Sequence, residues 1–239
     1  MPLDGAAGLT QLIQAAPDKP QEIRNLKLDA SGGLNVPAMA SAERIYRGDA
    51  AVMIWQGLNV LTAADRDQAI RRFWQQHYDW IKIDKVSFNF DDARREIRFA
   101  MEGKGNMGWQ TAAGTTRRRY WSNASVTAYR PDFVREDGSD KSAPFAVNFP
   151  SYSEDHETVV LPNKGDGFSL VGKDVDQKLA GVAYRRASTL SNGVVTIAVS
   201  KRSLVPEFSA AEAKRTEVLL RELNEDMVYI LAPVTYGSR

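Results

Sequence analysis

The chain has 239 residues, enough for one large domain or two small ones. It is 43% hydrophobic and 26% charged, the balance of a folded globular protein, and 31 Lys and Arg against 30 Asp and Glu leave a net charge of +1. That near-neutrality argues against a general nucleic-acid binder, which needs excess positive charge to neutralise phosphates, and the absence of cysteine excludes disulfides, thiolate nucleophiles and Cys-bound zinc.

Residues 1–20 are rich in Gly, Ala and Pro and read as a lead-in segment. They lack the basic start and long apolar stretch of a signal peptide. The apolar run Ala50-Ala51-Val52-Met53-Ile54-Trp55 falls far short of the about 20 residues that span a bilayer, so a soluble chain is expected. Ile23-Arg24-Asn25-Leu26-Lys27-Leu28-Asp29 alternates apolar and polar, the period of a half-buried strand. Segments 42–46 and 50–55 flank Arg47-Gly48-Asp49 and predict a hairpin. Thr62-Ala63-Ala64-Asp65 resembles a capping box, and Ile70, Phe73, Trp74 and His77 follow at helical spacing, which predicts a helix over 62–78. Residues 81–88 and 97–101 alternate again around the turn Asp91-Asp92-Ala93-Arg94.

Further strands are predicted at 121–129, 146–149, 158–161, 168–171, 182–190 and 194–202, the last two joined by Ser191-Asn192-Gly193. Ser209-Ala210-Ala211-Glu212 opens a helix over 209–226 with Thr216, Leu219, Leu220, Leu223 and Met227 on one face. The expected fold is mainly β within the α+β class: two antiparallel β-rich modules, 21–112 and 113–239, each with one packed amphipathic helix. Strands do not alternate regularly with helices, so a parallel dinucleotide-binding sheet is disfavoured.

Gly103, Gly105 and Gly108 spell G-x-G-x-x-G, but no helical stripe and no suitably spaced acidic residue follow, so a glycine loop is the reading and no cofactor is expected. Arg117, Arg118 and Arg119 precede Tyr120 and Trp121, a basic and aromatic run that offers itself to an anionic polymer or a partner. The alternative is a solvated strand edge, where arginine stems cover apolar surface and charge deters edge pairing. His77 ends the first helix; His156 sits among Glu154, Asp155 and Glu157, where it serves as a metal ligand beside these carboxylates, as a general base oriented by them, or as part of a polar strand entry. No spacing in the chain matches a metal-binding motif, and Asp137-Gly138-Ser139-Asp140 lacks the length and closing Glu of a calcium loop. Five Trp and eight Tyr would serve a glycan cleft if they lie exposed in a row, or the core if they do not.

Several separated blocks resemble one family. They are residues 143–152 (APFAVNFPSY) and 157–162 (ETVVLP), then 180–186 (AGVAYRR), 202–208 (RSLVPEF) and the closing helix; upstream, 47–51 (RGDAA) and the helix with Phe73-Trp74 belong to the same pattern. Together they are similar to the C-terminal region of bacterial transglutaminase-like proteins that begin with a domain of unknown function, in the alphaproteobacterial version. The resemblance implies a region that follows a Cys-His-Asp catalytic domain. This chain has no cysteine to match the nucleophile, so the family's catalysis does not carry over. It further implies a parent protein in the periplasm or cell envelope, with that parent's upstream domains or another envelope protein as partners. The expected function is a non-catalytic accessory or interaction module. A hydrolase built on His156 and its acidic neighbours, or a glycan-binding module using exposed aromatics, is the alternative. An open hollow around His156 would favour the first of these, and a planar row of exposed rings the second.

Overall fold

A computed structural model of the chain describes residues 14–124 and 131–236. In chain order it contains β1 (Glu22–Asp29), β2 (Ala38–Arg47), α1 (Asp49–Asn59), α2 (Ala63–His77), β3 (Ile81–Asp91), β4 (Glu96–Gly105), β5 (Gln110–Thr111), β6 (Arg118–Trp121) and β7 (Phe145–Ala146). There follow β8 (Tyr152–Val160), β9 (Ser169–Val171), β10 (Val175–Leu179), β11 (Val182–Ser191), β12 (Val194–Ser203), β13 (Glu207–Phe208), α3 (Ala210–Glu225) and β14 (Tyr229–Leu231). Strand outweighs helix, as the alternating sequence predicts, and the fold is a β-rich α+β fold.

Eight strands form one sheet in the order β10-β11-β12-β8-β1-β2-β4-β3. All of its pairings are antiparallel except β1 with β8, where Arg24 lies opposite Asp155 and Leu26 opposite Glu157. That one parallel pairing joins strands from both sides of residue 112, so the two expected modules share a single sheet. A smaller sheet, β5-β6-β14-β9, and the short pair β13-β7 complete the strands.

One face of the large sheet is the core face. Alternation brings to it Leu26 and Leu28, Ala40 and Ala42, Phe99 and Met101, Val159, and Val195, Ile197 and Val199, all buried. The helices and the small sheet cover this face, because Ile70, Trp74, Tyr120, Leu220 and Ile230 belong to the same buried cluster. The two predicted helices form where their caps place them. The Thr62 hydroxyl accepts from the Asp65 N–H at 3.2 Å, and the Ser209 hydroxyl accepts from the Glu212 N–H at 3.1 Å, satisfying donors that a helix start leaves open.

The structure corrects several local expectations. Residues 50–55 form no hairpin strand but lie within α1, so the first half carries two helices. Ala51 is buried, and Ile54, Trp55 and Leu58 pack against the core at the i, i+3, i+4, i+7 spacing of one helix face. A short apolar run fits strand and helix equally well, and here the aromatic partners Phe88 and Phe90 under Trp55 favour the helix. Gly103 and Gly105 belong to β4 and not to a loop; a Cβ on Gly103 would meet the Lys82 carbonyl oxygen at 2.4 Å. The strand expected at 146–149 shrinks to Phe145–Ala146, and of the strand expected at 121–129, residues 125–129 lie outside the described residues. Leu219 is 44% exposed, so the α3 stripe that packs is Ala213, Thr216, Leu220 and Leu223.

Candidate functional site

The core face of the large sheet is apolar toward one end and charged toward the other. In β1, Glu22 and Arg24 are in phase with Leu26 and Leu28; in β8, Asp155 and Glu157 are in phase with Val159; in β12, Lys201 is in phase with Val195, Ile197 and Val199. Arg44 of β2 lies opposite Arg24. These ionisable side chains thus stand on the floor of a cleft at positions where the pattern otherwise places Leu, Ile or Val.

The charges are matched. Arg24 donates to Asp155 Oδ2 at 2.6 Å, and Arg44 donates to Glu22 Oε1 at 2.7 Å. The Arg44 guanidinium also lies over the Tyr46 and Phe73 rings at 5.4 and 5.5 Å. Burial pushes the Asp155 carboxyl above its ordinary range, outweighing the attraction of Arg24. Burial, with repulsion from Arg24, holds the Lys201 ammonium below its usual value.

Glu157 is 2% exposed. Its Oε1 accepts from the Tyr120 hydroxyl at 2.8 Å; its Oε2 accepts from the Ser122 hydroxyl at 2.7 Å and the Asn123 N–H at 2.8 Å. Asn123 Nδ2 donates in turn to the Tyr120 oxygen at 2.6 Å. Burial raises the Glu157 carboxyl in spite of these donors, and burial beside that carboxylate raises the Tyr120 phenol well above its ordinary value. A buried carboxylate with several donors is held rigidly, and the loop after β6 is fastened to β8 through it.

Two hollows open along this cleft. One of about 180 Å³ is lined by Arg24, Arg44, Trp74, His77, Tyr78 and Asp155, and a recess of about 30 Å³ beside it reaches Asn123 and Glu157. A larger hollow of about 740 Å³ lies at the end of the adjoining row, with Glu22, Tyr46, Ser153 and Lys201 in its wall. Among the described residues no three His, Asp or Glu side chains gather as a metal-ligand set. No helix among them is long and apolar enough to cross a membrane.

The residues singled out from sequence are distributed by strand alternation. Tyr120 faces inward to Glu157, while Arg117, Arg118 and Arg119 serve the small sheet. Arg117 donates to the Ala232 carbonyl at 2.7 Å, Arg118 to Asn35 Oδ1 at 2.5 Å, and Arg119 lies 4.6 Å over the Trp121 ring. Trp121 in turn meets Tyr229 edge-on, with ring centroids 4.8 Å apart. The run is therefore divided among separate structural contacts. His156 stands on the opposite face of the large sheet, where its Nε2 is 3.4 Å from Glu154 Oε2. An open hollow of about 450 Å³ there is lined by His156, Glu154, Arg185, Ala198 and Ser200. Asp155 and Glu157 point to the core side, so the acidic cluster read from sequence is split by the strand between them.

Arg24, Arg44, Tyr78 and Lys201 were not selected by sequence reasoning. The signal that marks three of them is phase: an ionisable residue two or four positions from a core residue in the same strand faces the same way. Tyr78 carries no such signal, since it follows α2 and enters the cleft only because the helix ends there.

These features define a β-rich α+β protein with a charge-paired cleft on the core face of its large sheet. Searches of protein-family models, of curated proteins and of solved structures return no match to this chain.

Proposed function

We propose that this chain is a non-catalytic interaction module of a bacterial envelope protein, of the kind that follows a transglutaminase-like domain, and that it docks polypeptide in the core-face cleft. The observation that carries the reading is the set of paired charges Arg24–Asp155 and Arg44–Glu22 at inward positions of adjacent strands. Ion pairs held partly out of water gain little stability over apolar residues of similar size, and Arg24 keeps 42% of its side chain exposed to the cleft, so their presence at core-phase positions speaks for a recognition role. Each arginine is matched by a carboxylate, and Glu157 is satisfied by three donors, an arrangement suited to orienting a partner's polar groups. The resemblance in the sequence supplies the partner class: an upstream domain of the parent chain or another envelope protein.

The test mixes the purified chain with a separately produced transglutaminase-like domain of the resembling type and follows complex formation by titration calorimetry. A saturable complex, weakened by Arg24→Met, is expected. Absence of any complex overturns the reading, as does peptide turnover by the chain alone.

The hollow around His156 favours a second reading, a hydrolase on the outer face of the sheet. His156, Glu154 and Ser200 would be its working groups. Turnover of an ester or peptide substrate that is lost in both His156→Ala and Ser200→Ala would support it, and turnover unchanged by His156→Ala would sink it.

A further inference from the structure

The Tyr78 hydroxyl sits among four charged side chains: Glu157, Arg44, Asp155 and Arg24 all act on it. It makes no hydrogen bond to any described residue, although Tyr78 is half-buried and lines both the 180 Å³ hollow and its 30 Å³ recess. Burial, and then the nearby Glu157 carboxylate, raise its phenol above the ordinary value, so the hydroxyl keeps its proton and can donate. A second donor nearby lacks an acceptor among the described residues. Trp74 is 1% exposed, stacks on the Tyr78 ring at 6.0 Å, lines the same hollow, and encloses an indole N–H that meets no described acceptor. Enclosed donors without acceptors are uncommon in folded proteins.

The chemistry of the walls narrows the ligand. A free carboxylate would meet Glu43, Asp155 and Glu157, and a cation would meet Arg24 and Arg44, so either sign meets its like in the walls. A neutral group is favoured. A sugar ring needs an exposed aromatic face, but the Trp74 face is enclosed and covered by Tyr78. An amide has a carbonyl oxygen for a donor hydroxyl and an N–H for a carboxylate.

We propose that the hollow between the end of α2 and β8 is a subsite for a peptide amide, with the Tyr78 hydroxyl donating to its carbonyl oxygen and the Asp155 carboxylate accepting from its N–H. This rests on the docking of polypeptide proposed above and names the group that is read.

The experiment uses the full chain, labelled with ¹⁵N at tryptophan indoles, and N-acetylalanine methylamide as probe. Sodium acetate and methyl α-glucoside are the comparison arms. A saturable shift of the Trp74 indole resonance with the amide, and about fivefold to tenfold weaker binding in Tyr78→Phe, is expected from loss of one hydrogen bond. Tyr78→Phe removes only the oxygen, and an unchanged thermal midpoint establishes that the variant is folded; a fall in the midpoint moves the comparison to Asp155→Asn, which should weaken the amide likewise. No saturable shift, equal binding by the tyrosine and phenylalanine forms when both are folded, or stronger binding of acetate or glucoside overturns the assignment. A chain that still binds the transglutaminase-like domain but fails this test loses only the amide subsite; loss of the domain complex as well removes the function it rests on.

Discussion

The Tyr120 hydroxyl donates to Glu157 Oε1 at 2.8 Å, and this bond ties the small sheet to the large one. Tyr120 is 4% and Glu157 2% exposed, so the bond is made almost wholly out of solvent. Tyr120→Phe should lower unfolding free energy by about 1–3 kcal/mol, the cost of leaving a buried acceptor short of a donor. Because Ser122 bonds to the same carboxylate, Tyr120→Phe and Ser122→Ala should combine non-additively. Urea unfolding of the two single variants and the double variant measures both effects; simple additivity would separate the two donors energetically.

The pH dependence follows from the same carboxylate. Burial raises Glu157 in the folded chain above its ordinary value of 4.5. A raised folded value means that the folded state holds the proton more tightly. The contribution to stability is therefore complete below the unfolded value and is lost as pH rises through the folded one. Asp155, also raised by burial, acts in the same direction. Glu96 acts oppositely: burial raises it, but Arg47 and Arg98 together bring it below its ordinary value, so its contribution is complete above the unfolded value and is lost as pH falls through the lowered folded one. Glu157→Gln should remove the Glu157 part, leaving a smaller gain as pH falls from neutrality toward the ordinary carboxyl value of 4.5 than the unsubstituted chain shows in urea midpoints. An identical pH profile in the variant would contradict the assignment.

Arg186 fastens the C-terminal helix to the sheet. It is buried in β11 and donates to the Lys173 carbonyl at 2.6 and 2.8 Å, to the Asp226 carbonyl at 2.5 Å and to Asp226 Oδ2 at 2.9 Å. Arg186→Met keeps much of the volume but leaves these acceptors without their donor. Breaking a buried pair from one side costs about 3–5 kcal/mol, and hydrogen exchange should quicken first in α3. Loss confined to the other end of the molecule would argue against this anchor.

Gly103 is needed for close approach of two strands. A Cβ there would meet the Lys82 carbonyl oxygen at 2.4 Å and Ile81 Cγ2 at 3.0 Å. The neighbouring backbone must shift to admit Ala, so Gly103→Ala should destabilise by about 1–3 kcal/mol. By contrast, Gly57 of α1 has open space around it, and Gly57→Ala should stabilise by about 0.5–1 kcal/mol. Thermal melts of the two variants should therefore move in opposite directions.

Adjacent leucines of α3 offer a test of helix phase. Leu220 is 1% exposed and Leu219 is 44% exposed. Leu220→Ala should cost about 2–5 kcal/mol, whereas Leu219→Ala should change stability by less than about 0.5 kcal/mol. Trp74→Ala, on the buried face of α2, should cost about 3–5 kcal/mol. Equal effects at 219 and 220 would show that α3 is rotated from this packing.

The sequence by itself determined the elements whose signals are local. Period-two alternation placed β1, β3, β4, β11 and β12, and the Thr62 and Ser209 caps placed α2 and α3, because a side chain's face and a helix's first donors depend only on near neighbours. Local signals pointed to a hairpin strand where α1 forms, since a short apolar run satisfies either period until Trp55 finds Phe88 and Phe90. The cleft was legible in part: Arg24 and Asp155 share the phase of their strands' core residues. What only the tertiary structure decided was that they meet. Residues 24 and 155 are joined by the one parallel pairing of the large sheet, and no local pattern specifies which distant strand will complete a hydrogen-bonded edge. The same pairing, with strand alternation, sends His156 outward and Glu157 inward, so that neighbours in sequence are parted by the thickness of the sheet.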